Sequence, residues 1–161
     1  MAQVILLCGK ICSGKSTYTR HLREQLPASA VLSCDELMLT LFPDGAGEHH
    51  DLLAERARQY QFALALELIG CGVNVILDWG FWTKQWREEA RAFFAEHGIP
   101  CSLHYIDPAP DVWQRHIEER NRAVQAGKTS AYHVDEGLLA KLESRFEEPS
   151  TDEIDVRYCP D

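Results

Sequence analysis

Residues 9–16 read GKICSGKS and fit the pattern Gly-x-x-x-x-Gly-Lys-Ser without a mismatch. They follow VILLC, a short apolar run of strand character. The chemistry open to such a loop is narrow. Gly9 and Gly14 permit backbone angles that turn N–H groups inward into an anion-binding nest. A helix over 16–26 would aim its positive end at the same anion. Lys15 would supply a point charge to the β- and γ-phosphates of a nucleotide, and the Ser16 hydroxyl a ligand for Mg²⁺. Ser13 and Thr17 belong to the same expected nucleotide-binding set. A loop of this kind holds phosphates but does not say where a phosphate goes next.

Two carboxylates bear on that question. Asp35 ends a second apolar run and Asp78 a third. In an open parallel sheet, ligands bind at the carboxyl ends of strands, so both acids are expected beside the loop. Asp78 would support Mg²⁺, largely through water, since the ion gives up its hydration reluctantly. Asp35 would accept a proton from an attacking hydroxyl. A turn or cap role is the plainer alternative for either one taken singly. The run VLSCDE (31–36) also resembles the metal-and-base strand of mechanical ATPases, with Glu36 activating water, but the chain is short for the helical lid domain of those proteins.

Directly after Asp78 comes WGFWTKQWREEAR, with Trp79, Phe81, Trp82 and Trp86 close together. Trp86 falls on an apolar helical stripe and reads as core, while Trp79 and Trp82 either pack in the core or wall a crevice for an acceptor. Farther on, WQRHIEERNRAV places Arg115 and Arg122 seven apart on one helix face, with Arg120 pointing elsewhere. Arginine suits charge developing on a transferring phosphoryl group, although Glu118 and Glu119 are spaced to make ordinary surface pairs with the first two. His49-His50-Asp51 lacks a third ligand nearby and reads as exposed loop.

These residues need a scaffold. Strands are expected near 3–8, 30–34, 73–77, 101–106 and 154–158, alternating with helices over 16–26, 51–69, 83–97, 110–126 and 135–145, the signature of parallel βα units. The third run is apolar throughout, as a strand buried on both faces should be. Helix 51–69 carries Leu53, Ala57, Tyr60, Leu64 and Leu68 as its core-facing stripe. Thr83 is placed to cap the fourth helix. Segments 42–50 and 125–133, rich in Gly and polar residues, read as mobile loops near the phosphates.

With 161 residues, the chain is one domain's worth, read as a single unit over 1–161. Its six cysteines are scattered without Cys-x-x-Cys pairs, which argues against a disulfide framework or zinc site. No apolar run could span a bilayer, and no basic cleavable leader is visible, so the expected location is cytoplasmic, away from membranes. A net charge of −9 disfavours loose binding to nucleic acid. No Asn-Lys-x-Asp guanine motif occurs.

Taken in order, GKICSGKS, SCDE, ILDWGFWTKQWREEAR, WQRHIEERN and RFEEPSTDE resemble the small P-loop kinases related to zeta toxins, chloramphenicol phosphotransferase and polynucleotide 5′-kinase. The resemblance implies an α/β P-loop NTPase of adenylate-kinase-like architecture, with a five-stranded parallel sheet ordered 2-3-1-4-5 and a short lid, here 121–134. It implies ATP and Mg²⁺ as cofactors, Asp35 acting on the acceptor hydroxyl, and Lys15 and Arg120 at the reacting phosphate. Arg115, with Arg122 possible, would lie on the nucleotide, and Phe146–Pro149 would border the base. In one departure, DELMLTLF lacks the arginine that zeta toxins and polynucleotide kinases carry shortly after the strand-2 Asp. A bulky phosphorylated acceptor such as a nucleic-acid end is therefore not expected. The reading is transfer of the γ-phosphate to a small-molecule hydroxyl; the alternatives are a polynucleotide 5′-hydroxyl kinase and a nucleotide-dependent switch or ATPase without an acceptor.

Overall fold

A computed structural model describes residues 1–129 and 133–161. In chain order its elements are β1 (Val4–Cys8), α1 (Lys15–Gln25), β2 (Ser29–Leu32), α2 (Cys34–Leu41), a 3-10 turn (Gly47–His49), α3 (His50–Gly70), β3 (Asn74–Gly80), α4 (Lys84–Glu96), β4 (Cys101–Ile106), α5 (Pro110–Gln125), α6 (Glu136–Arg145) and β5 (Val156–Tyr158). The five strands form one sheet in the order β2-β3-β1-β4-β5, every pair parallel. This is the order that the family resemblance implies.

The central strands are apolar because both of their faces are covered. Val4, Leu6 and Cys8 of β1 pack with residues of α2, α3 and α4, whereas Ile5 and Leu7 pack with Tyr18 and Leu22 of α1. Val75, Ile76 and Leu77 of β3 are fully buried. Thr83 caps α4 as expected, its side chain accepting from the Trp86 N–H. Pro110 opens α5, where its missing N–H costs nothing.

Three details correct the sequence reading. First, β2 stops at Leu32 and α2 starts at Cys34, so 33–34 are not strand and the following residues are helical. Ser33 caps α2 by accepting from the Glu36 N–H; Ser followed three residues later by Glu is an N-terminal helix signal. Second, the buried face of α3 is Ala54, Ala57, Gln61 and Ala65, while Tyr60 is 62% exposed. A ridge of alanines lets this helix lie close to the sheet, which displaces the bulkier side chains to its flanks. Third, α4 buries an arginine.

Arg87 is 1% exposed, beside Phe94 and Ala90 on the inner face of α4. Its Nε donates to Glu153 Oε1 at 2.9 Å, and its Nη1 donates to the carbonyls of Phe81 at 2.9 Å and Glu147 at 2.8 Å. One guanidinium thus ties the turn after β3 to the segment before β5. Burial would raise the Glu153 carboxyl, but hydrogen bonds from Arg87 and Ser150 outweigh it and hold the group at about 2. A carboxylate with a depressed folded pKa stabilises the fold above its unfolded value of 4.5, and that contribution is lost as pH falls through about 2. Urea unfolding followed across that window should show stability falling with pH, and Glu153→Gln should be less stable at neutral pH with a flatter acid dependence.

Candidate active site

The loop between β1 and α1 is built against the turn that follows β3. Gly9 N–H donates to the Gly80 carbonyl at 3.0 Å, and Trp82 Nε1 donates to the Gly9 carbonyl at 3.1 Å. A Cβ on Gly9 would lie 2.6 Å from Ser13 Oγ and 3.2 Å from the Ile106 carbonyl, so only glycine fits. Gly14 has φ 103° and Cys12 φ 58°, the left-handed angles that curl the loop. Ser13 is buried, and its Oγ has no hydrogen-bond partner among the described residues, a donor held for something other than the protein. Lys15 folds back over the loop, its Nζ donating to the carbonyls of Gly9 at 3.2 Å and Lys10 at 2.9 Å. Ser16 and Thr17 are exposed in the first turn of α1.

The acids gather opposite. Asp78 lies near the carboxyl end of β3, half-buried, and Asp35 is exposed in the first turn of α2 rather than at a strand end. Burial raises the Asp78 carboxyl, Lys15 opposes that, and the charges of Asp35 and Glu36 raise it further. Lys15 is lowered by burial and raised by Asp78 and Asp35. One lysine and three carboxylates therefore share a single electrostatic neighbourhood at the carboxyl edge of the sheet.

Helix α5 closes the other side. Trp113 Nε1 donates to the Ile11 carbonyl at 2.7 Å, His116 Nδ1 lies 3.0 Å from the Cys12 carbonyl, and Arg120 Nη1 lies 3.5 Å from Cys12 Sγ. The helix face that meets the loop is thus Trp113, His116 and Arg120. Arg115 and Arg122 are exposed and lie off it. At the root of the expected lid, Asn121 makes two bonds to Val134: Nδ2 donates to its carbonyl at 2.8 Å, and Oδ1 accepts from its N–H at 2.7 Å. Residues 130–132, within both the lid and the expected mobile loop 125–133, lie outside the described residues.

The family model described as an AAA domain matches residues 4–149. The chain belongs to that family. Among curated proteins none matches the sequence. Kti12 of Chaetomium thermophilum, solved with ADP-AlF3, is 19% identical over 98% of this chain and 88% of its own, with a TM-score of 0.71. The APS kinase CysC of Mycobacterium tuberculosis, solved with AMPPNP and APS, is 23% identical over 99% and 89%, with a TM-score of 0.63. A chain of the Pnkp1/Rnl/Hen1 RNA repair complex is 18% identical over 89% of this chain and 43% of its own, with a TM-score of 0.66. At these identities the likeness establishes a fold shared with P-loop kinases. Among the described residues no helix is long and apolar enough to cross a membrane.

Within this AAA-domain frame the tryptophans separate. Trp79 is core: it is buried against Phe62 and Phe81, and its Nε1 donates to Gln61 Oε1 at 2.6 Å. Trp82 instead supports the loop and, with Trp113, Phe146 and Lys10, lines a small cavity on the α5 side. Neither lines the groove that begins at Ser16 and Asp78. Sequence reasoning missed Trp113 and His116 at the loop, although Trp113, His116 and Arg120 follow one another at three- and four-residue steps on one helix face.

Because Gly9 is confined chiefly by Ser13 Oγ, Gly9→Ala should weaken nucleotide binding by about tenfold or more, on the scale of 1–3 kcal/mol for overpacking. Adding Ser13→Ala removes the nearer obstacle and should recover part of the stability lost, with the Ile106 carbonyl still close. Titration with a fluorescent ATP analogue and thermal unfolding of both variants check this.

Proposed function

We propose that this chain is an ATP-dependent phosphotransferase that moves the γ-phosphate to a hydroxyl of a small-molecule acceptor. The observation that carries the reading is a groove of about 630 Å³ that begins at Ser16, directly after the loop lysine Lys15, and at Asp78. A transferase must seat an acceptor beside its phosphate loop, and the groove offers a concave surface there.

Gly9, Ser13, Gly14, Lys15, Ser16 and Thr17 receive the phosphates. Lys15 exchanges two loop carbonyls for phosphate oxygens, and the buried Ser13 Oγ gains a partner. Ser16 and Asp78 offer the hard oxygen ligands that Mg²⁺ requires, and both line the same groove. When bound, the ion neutralises charge on the β- and γ-phosphates. Asp35, exposed at the start of α2, takes the proton of the acceptor hydroxyl as its oxygen closes on phosphorus. Arg120 is held at the loop by α5 and meets charge on the transferring group. The chain acts as one kinase unit over 1–161.

Transfer from γ-labelled ATP into a metabolite pool, with mass identification of the labelled product, tests the reaction. Asp35→Asn should lower transfer by about 10²- to 10⁴-fold while ATP binding persists. Unchanged transfer in that variant would remove Asp35 from the mechanism. Slow ATP loss indifferent to every hydroxyl compound would favour the switch, and labelling of oligonucleotide 5′ ends the polynucleotide kinase.

A further inference from the structure

The groove beginning at Ser16 and Asp78 continues along α1 to Leu26, Pro27 and Ser29. Its α1 wall is Ser16, Thr19, Arg20, Arg23 and Glu24, spaced by three and four residues, so that one helix face forms one side of the groove. At 1.5 Å per residue, Arg20 stands about 6 Å and Arg23 about 10 Å along the axis from Ser16. Both are exposed, and among the described residues neither guanidinium has an ion-pair or hydrogen-bond partner.

In a chain with 25 acidic and 16 basic residues, Arg58, Arg87, Arg91 and Arg157 find carboxylates, and Arg20 and Arg23 are the arginines that line this groove. The acid on this face, Glu24, lies 3.9 Å from His21 Nδ1. Two arginines one turn apart present planar donor forks to one concave surface, an arrangement suited to bidentate capture of a phosphate or carboxylate. Helix α2, the usual place to look for an acceptor-binding cation after Asp35, carries no Lys or Arg over 34–41.

We infer that the acceptor is an anionic small molecule, whose phosphate or carboxylate is held by Arg20 and Arg23 while its hydroxyl lies at the Ser16–Asp78 end of the groove. This rests on the phosphotransfer reading above. The acceptor's anion and its reacting hydroxyl are separated by roughly 6–10 Å, the span of α1 between Ser16 and the two arginines. In the step itself the hydroxyl oxygen forms the new P–O bond, the bond from γ-phosphorus to the bridging oxygen breaks to release ADP, and the hydroxyl proton passes to Asp35.

The test uses the full chain and matched acceptors, each offered as the neutral polyol and as its phosphate monoester or carboxylic acid, with γ-labelled ATP. Label should enter the anionic members, and Arg20→Ala with Arg23→Ala should raise their KM at least tenfold without changing KM for ATP, with Arg20→Lys recovering part. Equal labelling of neutral members, or an unchanged KM in the double variant, overturns the inference. If no compound is labelled, the transferase reading fails and the groove is judged by binding alone. Protein loaded with Mg²⁺ and a non-hydrolysable ATP analogue is titrated with inorganic phosphate and pyrophosphate by calorimetry. Binding that the double variant loses sustains the anion site; binding that is absent, or retained in that variant, overturns it. Circular dichroism of the variants separates loss of fold from loss of site.

Discussion

The geometry of the phosphate loop depends on a guanidinium that never touches it. Arg87 holds the carbonyl of Phe81, a residue buried at φ 47°, an uncommon angle for a bulky side chain. With Phe81 fixed, Trp82 is delivered to the Gly9 carbonyl and Gly80 to the Gly9 N–H. The same guanidinium binds the Glu147 carbonyl, and Glu147 N–H returns the tie by donating to the Trp82 carbonyl at 2.7 Å. A buried charge is tolerated only where its hydrogen-bonding capacity is well used, and here that is met by a carboxylate and two carbonyls from three places in the chain. The arrangement joins the floor of the loop to the segment leading into β5, so strain at one is felt at the other.

The loop is consequently held from two independent sides. The β3 turn grips its first residue, and α5 grips its crest through Trp113 and His116 at the Ile11 and Cys12 carbonyls. Between them the nest can keep left-handed angles at Cys12 and Gly14. Electrostatics and shape then divide the surroundings: acids cluster at the carboxyl edge, aromatic surface sits on the α5 side, and the long groove follows α1.

How much of this was legible follows from range of interaction. β1, β3 and the glycine loop were readable because local apolar runs and turn residues specify them, whereas the strand order came only with the family resemblance. Helix α2 was missed because apolar Cys34 reads as a continuation of β2, and the Ser33–Glu36 capping signal was outweighed by that run. The α3 stripe came out rotated because periodicity ranks residues by hydrophobicity, whereas close packing on a sheet prefers alanine. Arg87 was invisible: in WREEAR it looks like one more surface charge, and its acceptors Glu147 and Glu153 lie sixty residues or more away in sequence. His116 was overlooked for the same reason, since its partner, the Cys12 carbonyl, is 104 residues distant.

The Asn121 clamp carries a consequence of its own. Two hydrogen bonds from one side chain bring positions 121 and 134 together, and Val134 is buried against Ile11 and Ile117 at the loop. The ends of the intervening segment are therefore joined by the fold itself. Closing a loop costs entropy that grows only slowly with its length, and here that cost is met by folding itself. The segment's footing thus rests on Asn121 and Val134, and through Val134 it is seated on the phosphate loop at Ile11.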